Sequence, residues 1–221
     1  MKIGLLSDIH ANLPALEAVL DDMPDVDRIV CAGDVIGYNL WPAECLEIIR
    51  ETADITVMGN HDRTVETPHQ YSANRMAEAG LEHAKRELTS EQLDWLRNLP
   101  RKASFADDRF VLVHDHPSIQ DRYVYPAEFA NLRRYLDDFD GIVLGHTHVQ
   151  HKALIDDRWV VNPGSVGQPR DGDNRAAYAT LDTDDSSVNL RRVSYDIDHV
   201  IACFEESVLP MKTATRLLSG E

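Results

Sequence analysis

Five short groups of polar residues contain side chains that bind metal ions or transfer protons. In chain order they are Ser7-Asp8-Ile9-His10, Gly33-Asp34, Gly59-Asn60-His61-Asp62, His114 and Gly145-His146-Thr147-His148. Carboxylates, neutral imidazoles and one amide oxygen form a mixed oxygen and nitrogen ligand set, which suits divalent ions such as Mn²⁺, Fe²⁺, Zn²⁺ or Co²⁺. The set has no thiolate, so a closed structural zinc site is not expected.

These groups contain too many ligands for one ion and about the right number for two ions with open positions. Two metals roughly 3.5–4 Å apart clamp both the attacking and the leaving oxygen of a phosphoryl transfer. Each residue also has an ordinary structural explanation: Asp8 can cap a turn, and a single buried His10 or His114 is more often hydrogen-bonded than a ligand. Taken jointly, the groups favour a metal site.

Each polar group follows a short apolar run that is typical of a buried strand. The runs are Lys2–Leu6, Arg28–Ala32, Ile55–Met58, Phe110–Val113 and Ile142–Leu144. Helical spacing between the first three runs, at residues 13–20 and 42–50, predicts parallel βαβ units. Ligands of such sheets bind outside the carboxyl ends of the strands, so all five runs deliver their polar side chains to one edge.

The remaining elements are predicted from the same patterns. Residues 72–99 form two helices, with Thr89 capping the second, and residues 126–136 form another helix. Short strands at residues 149–155, 159–161, 176–181 and 188–193 are separated by Asp, Gly and Asn turns, which indicates hairpins. One or two helices at residues 196–218 complete a layered α/β domain, and we expect a single domain over residues 1–221.

The composition excludes several classes of protein. With 22 basic and 38 acidic residues the net charge is −16, which argues against a nucleic-acid coat or a basic membrane-surface protein. Asp outnumbers Glu by 25 to 13, and Arg outnumbers Lys by 17 to 5. This composition favours a salt-adapted surface, and the alternative is an ordinary acidic cytosolic protein.

No apolar run reaches the ~18 residues of a membrane span, and no secretory leader is evident, so we expect a cytoplasmic protein. Cys31, Cys45 and Cys203 are expected to be reduced and buried.

The order Asp-x-His, Gly-Asp, Gly-Asn-His-Asp, His, Gly-His-x-His resembles the calcineurin-like metallophosphoesterases over nearly the whole chain. It is most similar to the small prokaryotic branch of predicted phosphodiesterases. Three further stretches carry the resemblance: residues 7–16, 162–165 and 167–170. The resemblance implies an α/β fold with a layered β-sandwich of mixed sheets flanked by helices.

The resemblance also implies a role for each matching residue. One metal would be held by Asp8, His10 and His148, and the other by Asn60, His114 and His146. Asp34 would bridge the two metals, and a metal-bridging hydroxide would attack phosphorus in line. His61 would face the phosphate and protonate the leaving oxygen, with Asp62 orienting the His61 ring through its second nitrogen.

We therefore expect a phosphoesterase, and specifically a phosphodiesterase that hydrolyses small phosphodiesters or nucleotides with two divalent ions. We expect Mn²⁺, with Fe²⁺, Zn²⁺, Co²⁺ and Ni²⁺ as alternatives. A phosphomonoesterase or protein phosphatase is a second hypothesis, disfavoured because no cluster of Arg and Lys lies near the motifs; a non-catalytic metal-binding scaffold is a third. No stable nucleic-acid or membrane binding is expected, and apolar residues in the segment 201–218 pack within the chain or form a homo-oligomer.

One departure from the family pattern and two arginines affect the expected pocket. The family usually has glycine after the lone histidine, whereas Asp115 follows His114 here and adds negative charge near the phosphate pocket. Arg170 and Arg175 are candidates to contact phosphate, because guanidinium groups pair well with phosphate oxygens. The alternative is surface pairing with Asp171 or Asp173.

Overall fold

The computed structural model describes residues 1–221 and contains two five-stranded sheets. The strands are β1 Lys2–Leu6, β2 Arg28–Cys31, β3 Ile55–Thr56, β4 Lys102–Phe105, β5 Phe110–Val113, β6 Gly141–Val143, β7 His151–Ile155, β8 Arg158–Asn162, β9 Ala176–Asp182 and β10 Ser187–Val193. The α-helices are α1 Leu13–Asp22, α2 Pro42–Thr52, α3 Asn60–Thr64, α4 Arg75–Glu87, α5 Ser90–Arg97, α6 Ile197–Glu205 and α7 Met211–Thr215. Three 3₁₀ helices span Pro68–Tyr71, Pro126–Tyr135 and Arg216–Leu218.

The first sheet has the strand order β10-β9-β1-β2-β3. Strands β1, β2 and β3 are parallel, and Leu6, Cys31 and Thr56 lie next to one another at their carboxyl ends. Helices α1 and α2 connect these strands, which confirms the predicted βαβ units. The predicted hairpin of β9 and β10 is also confirmed, and it completes this sheet in antiparallel pairing.

The second sheet has the order β4-β5-β6-β8-β7. Strands β5, β6 and β8 are parallel, so the residues that follow β5 and β6 emerge at one edge. Strands β4 and β7 form the outer strands in antiparallel pairing, and β7 with β8 is the other predicted hairpin.

The two sheets pack against each other and are covered by helices on their outer faces. Because successive strand residues point to opposite faces, Leu5 packs between the sheets with Leu112 of β5, whereas Leu6 packs beneath the helices with Leu16 of α1. On the outer face of the second sheet, Phe129 of a 3₁₀ helix packs on β5 and β6. The expected sandwich of mixed sheets flanked by helices is therefore confirmed.

Three local features differ from the sequence predictions. Strand β4 is absent from them, because four residues at a sheet edge with one buried side chain leave little apolar signal. Helix α3 is also absent, because five residues show no helical periodicity and Asp62 caps the helix through the Gly59 N–H, 3.0 Å away. The predicted helix at residues 126–136 is a 3₁₀ helix over Pro126–Tyr135.

The cysteines and the helices bear on two further expectations. All three cysteines are free; Cys31 and Cys45 are buried as expected, but Cys203 is half-buried, with Sγ 3.7 Å from the Nε2 atom of His199. No helix combines the length and the apolar character that crossing a bilayer requires.

Candidate metal centre

The polar groups that follow β1, β2, β3, β5 and β6 meet at the rim of the two sheets. Five of the predicted ligands have backbone φ angles in the left-handed region, between 49° and 68°. Such conformations cost on the order of 1–3 kcal/mol each and concentrate at functional sites, where the surrounding structure imposes them. The strained residues are Asp8, His10, Asp34, His146 and His148.

The first ligand group consists of Asp8, His10 and His148, all buried. The Nε2 atom of His148 lies 3.2 Å from Asp8 Oδ1 and 3.1 Å from the Nε2 atom of His10. His10 donates its Nδ1 proton to the Ile36 carbonyl at 3.2 Å, and His148 donates its Nδ1 proton to the Gln168 carbonyl at 2.6 Å. Since carbonyls only accept, the Nε2 atoms keep their lone pairs, and these face each other.

The second ligand group forms around His114. Its Nδ1 proton goes to the Ala32 carbonyl at 2.7 Å, and its Nε2 atom faces Asn60 Oδ1 at 2.9 Å and Asp34 Oδ2 at 3.4 Å. The Nδ2 group of Asn60 donates to the Tyr71 hydroxyl, which fixes the amide oxygen toward His114. His146 belongs to the same group, with its ligand atom within 4.8 Å of those of Asp34 and His114.

Asp34 lies between the two groups. Its Oδ2 atom is 3.6 Å from the Nε2 atom of His10 and 3.4 Å from that of His114. Its Oδ1 atom accepts the backbone N–H of His61 at 2.8 Å, so the carboxylate is held in place from the side of α3. One carboxylate oxygen thus faces both candidate ligand groups.

The donor set fits divalent cations. Asp8 Oδ1 is buried and has no hydrogen-bond partner. Lone pairs of two imidazoles at 3.1 Å repel each other, and buried polar atoms are otherwise nearly always satisfied. A cation between these atoms removes the repulsion and supplies the missing partner, so the residues present fit a metal ion.

The pKa shifts of the ligand residues also indicate that the site favours a bound positive charge. Burial lowers the pKa of His10 and His148 well below the usual range, so both rings are neutral at pH 7. Burial also raises the pKa of Asp8 to about 6. Burial disfavours the charge on His114, but Asp34 outweighs it and raises the pKa of His114 to about 10. A cation that binds beside Asp34 therefore competes with this proton.

His61 has a ring nitrogen within 4.8 Å of the ligand atoms of His10 and Asp34, and its Nδ1 atom is unpartnered. Its ring centroid is 4.8 Å from that of His10, 4.7 Å from that of Tyr38 and 5.0 Å from that of Tyr71. Burial lowers the pKa of His61 to about 4, which makes the ring a neutral N–H donor at pH 7.

The structure contradicts the expected contact between Asp62 and the His61 ring. The Asp62 carboxylate instead accepts backbone N–H groups of Asp34 at 2.8 Å, Val35 at 2.9 Å, Gly59 at 3.0 Å and Ile36 at 3.3 Å. Burial raises the pKa of this carboxyl to about 7. Asp62 therefore joins the loop that follows β2 to the start of α3 and acts on the position of Asp34.

Asp115, which replaces the glycine usual in the family, does not present a free charge. It is absent from the residues with left-handed φ, so glycine is not required for the backbone there. Its Oδ1 atom lies 3.2 Å from an Arg101 nitrogen, and its Oδ2 atom accepts the N–H of Asp121. The residue therefore holds the loop of residues 115–122.

A cavity of about 480 Å³ opens in front of the ligand groups. It exposes Asp34, Asn60, His61, His146 and His148 on its wall. Five further lining residues belong to no sequence motif and lie in the 3₁₀ helix Pro68–Tyr71, in loops and in the C-terminal segment: Tyr71, Asn74, Asp121, Tyr123 and Arg216.

Of the two arginines considered as phosphate contacts, Arg175 forms a surface ion pair and Arg170 lines the cavity. Arg175 pairs with Asp173 at 2.6 Å, as the surface alternative predicts. Arg170 lines the cavity and forms no carboxylate pair, because Asp171 pairs with Arg192. Arg216 lies in the same cavity wall. The expectation that no basic residues cluster near the motifs is therefore wrong, since Arg216 comes from a distant part of the sequence.

The sequence model of the calcineurin-like phosphoesterase superfamily domain matches residues 1–186. The chain belongs to this superfamily. The order of the five polar groups and their meeting at one rim agree with this membership, which confirms the resemblance identified from the motifs.

Individual members of the superfamily are similar over most of the chain. An uncharacterized protein of Methanocaldococcus jannaschii is 33% identical over 245 residues, covering 99% of this chain and 98% of its own. The Escherichia coli phosphodiesterase YfcE is 31% identical over 200 residues, covering 85% of this chain and 91% of its own. The crystal structure of a metallophosphoesterase from Sphaerobacter thermophilus is 36% identical and superposes with a TM-score of 0.88, covering all of both chains. The chain thus falls in the small prokaryotic YfcE-like branch.

Proposed function

We propose that the chain is a dinuclear metal-dependent phosphodiesterase that hydrolyses small phosphodiesters or nucleotides. The observation that carries the proposal is the arrangement of two buried ligand groups around the single carboxylate of Asp34, with His61 beside them at the wall of a cavity. In the first group two imidazole lone pairs face each other beside an unpartnered Asp8 oxygen, which is the condition that a bound cation satisfies. In the second group a cation would replace the proton that Asp34 keeps on His114.

Each group would hold one ion, and Asp34 would contact both. The first ion would bind to Asp8, His10 and His148, and the second to Asn60, His114 and His146. We expect Mn²⁺, which accepts this mixture of oxygen and nitrogen ligands, with Fe²⁺, Zn²⁺, Co²⁺ and Ni²⁺ as alternatives. When bound, two divalent ions polarise phosphoryl oxygens and lower the pKa of water.

His61 supplies the group that acts on the substrate from the protein side. Its unpartnered ring lies at the cavity wall and can donate an N–H to a phosphoryl or leaving-group oxygen. The negative charge of a bound phosphoester raises the pKa of the ring toward the range of a proton donor. Asp62 keeps Asp34 in place through the backbone of the neighbouring loop.

Two observations favour a small diester as substrate. The cavity volume of about 480 Å³ suits a small molecule, and the net charge of −16 repels long polyanions. The relative YfcE is named a phosphodiesterase. A phosphomonoesterase remains the second candidate because Arg170 and Arg216 bring positive charge to the cavity, and comparison of monoester with diester hydrolysis decides between them.

The direct test is manganese-supported hydrolysis of bis-p-nitrophenyl phosphate. Asp34→Asn is expected to lose both metal and activity, whereas His61→Ala is expected to keep its metal and lose about 10²–10⁴ in kcat. His69→Ala, which removes an exposed histidine outside the cavity, serves as the matched control. Absence of turnover with every metal of a broad panel, despite stoichiometric binding, would refute the proposal and favour a metal-binding scaffold.

A further inference from the structure

Two arginines, Arg170 and Arg216, share the wall of the cavity. The Arg170 guanidinium donates to Gln168 Oε1 at 2.7 Å and to the Tyr38 hydroxyl at 3.3 Å, and it lies 5.7 Å from the centre of the Tyr38 ring. Arg216 donates through Nε to the main-chain oxygen of Glu221. Neither guanidinium forms an ion pair with an acidic side chain, although the protein has 38 acidic residues.

The two guanidinium groups repel each other, and an anion bound at both would relieve this repulsion. Arg216 is half-buried, and burial together with the charge of Arg170 lowers its pKa, although the charge of Glu221 acts in the opposite direction. Arg175 and Arg192, which lie near Arg170 in the fold, are both paired with carboxylates. The two cavity arginines thus differ from Arg175 and Arg192 in having no carboxylate side chain as a partner.

The C-terminal segment is built to place Arg216 at this position. Leu217 is buried in a cluster with Phe204 and with Leu40, which follows β2. The Gly220 carbonyl accepts the N–H of Gly172 at 3.0 Å, which joins the segment to the loop that carries Arg170. A Cβ at position 220 would lie 2.7 Å from the Asp173 backbone, so this contact requires a glycine.

The backbone N–H of Arg170 donates to the carbonyl of the ligand His148 at 3.1 Å, whereas the Arg170 guanidinium contacts Tyr38 and makes no hydrogen bond to His61. Tyr38 lies between them: its ring is 4.7 Å from that of His61, and its hydroxyl accepts from Arg170. Arg216 also lies beyond residues 1–186, the range that matches the superfamily. Arg216 is therefore not part of the sequence pattern that identifies the superfamily in this chain.

We propose that Arg170 and Arg216 form a second anion subsite that binds a non-reacting phosphate group, and thereby selects phosphoesters with at least two phosphate groups. The inference rests on the proposed function, because it takes the first phosphate to be hydrolysed beside His61. Guanidinium groups suit this task since they donate two hydrogen bonds to phosphate oxygens and stay charged. Arg216 is then a specificity-determining residue contributed by the C-terminal segment.

The test compares three substrates that all release p-nitrophenol, with the manganese-loaded protein. They are bis-p-nitrophenyl phosphate, p-nitrophenyl phosphate and the p-nitrophenyl ester of the ATP γ-phosphate. Arg216→Gln is expected to raise KM at least about tenfold for the ATP ester and less than about twofold for the other two. Arg170→Gln is expected to raise KM for the ATP ester with the same selectivity. The comparison can therefore still be made if one of the two variants fails to fold.

Arg28→Gln is the matched control, because Arg28 is exposed, unpaired and at the start of β2, at the opposite end from the site. Removal of its charge is expected to change all three KM values by less than about twofold. An equal rise in KM for p-nitrophenyl phosphate in the cavity variants would overturn the inference, since the arginines would then serve the reacting phosphate. No rise for the ATP ester would overturn it as well.

A binding measurement separates this inference from the proposed function. If the wild type hydrolyses none of the substrates, the proposed function fails. The subsite is then judged by calorimetry with inorganic tripolyphosphate and manganese-loaded protein freed of excess metal. Binding that Arg216→Gln weakens at least about tenfold and Arg28→Gln leaves within about twofold supports the subsite. Equal effects of both variants, or no binding by the wild type, would contradict it.

Discussion

At the scale of single residues, the site depends on backbone conformations that oppose the intrinsic preferences of the residues. Asp8, Asp34 and His148 all have left-handed φ angles. Their neighbours hold them there, and the carboxylate of Asp62 is central because it accepts four backbone N–H groups from two loops. The motif predicts Asp62 as important, but the spacing of residues cannot tell which groups its carboxylate contacts.

Asp62→Asn is expected to weaken metal binding and to destabilise the protein by about 2 kcal/mol. The reason is that an amide replaces one acceptor oxygen by an NH₂ group, which leaves buried backbone N–H groups unsatisfied. Urea unfolding and manganese titration provide the measurements, and Asp25→Asn, at an exposed position, is the control. A variant with normal stability and metal affinity but reduced kcat would instead support direct action on His61.

At the scale of elements, the loop after β2 and the helix after β3 approach too closely for larger side chains. Gly37 has a φ of +95°, and a Cβ there would lie 2.5 Å from the Nδ1 atom of His61. The position of the catalytic candidate therefore depends on a glycine in a different loop. Gly80 of α4 supports the same loop, since a Cβ there would lie 2.2 Å from the Tyr38 nitrogen.

Gly37→Ala is expected to lower kcat at least about tenfold with unchanged metal content, because the new methyl group displaces the His61 ring. Gly172→Ala is the matched control: its φ is +81°, so the backbone strain is similar, but no atom lies within 4 Å of the added Cβ. Kinetics and elemental analysis of both variants test this. A similar loss of kcat in both would show that backbone strain, and not contact with His61, is responsible.

The strands that carry the ligands can be predicted from the sequence because they are buried. Strands β1, β5 and β6 are buried on both faces, so their sequences are continuous apolar runs that end abruptly in polar residues. Helix α3 has only five residues. Arg170 and Arg216 line the same cavity although they lie about a fifth of the chain apart in sequence. Such features depend on tertiary packing and have no local pattern.

At the scale of the whole molecule, the excess of acidic residues sets the electrostatic background of the site. The net charge of −16 destabilises the folded state through self-repulsion and attracts cations to the rim where the carboxylates meet. Mobile ions screen the repulsion between exposed charges over about 10 Å at 0.1 M salt and less at higher salt. We therefore expect salt to stabilise the folded state.

Added KCl is expected to raise the urea concentration at the midpoint of unfolding, because screening relieves the repulsion among exposed carboxylates. Urea is the appropriate denaturant since it is uncharged. The double variant Asp21→Asn with Asp25→Asn, at two exposed positions, is expected to show a smaller rise. A midpoint that falls with KCl would show that ion pairs, such as that of Arg63 with Asp121, outweigh the repulsion.

The most direct test of the account is anomalous diffraction from a crystal grown with excess manganese. Two manganese peaks about 3.5–4 Å apart are expected on either side of Asp34. One should lie against Asp8, His10 and His148, and the other against Asn60, His114 and His146. A single peak, peaks elsewhere on the acidic surface, or none at this rim would contradict a site for two cations.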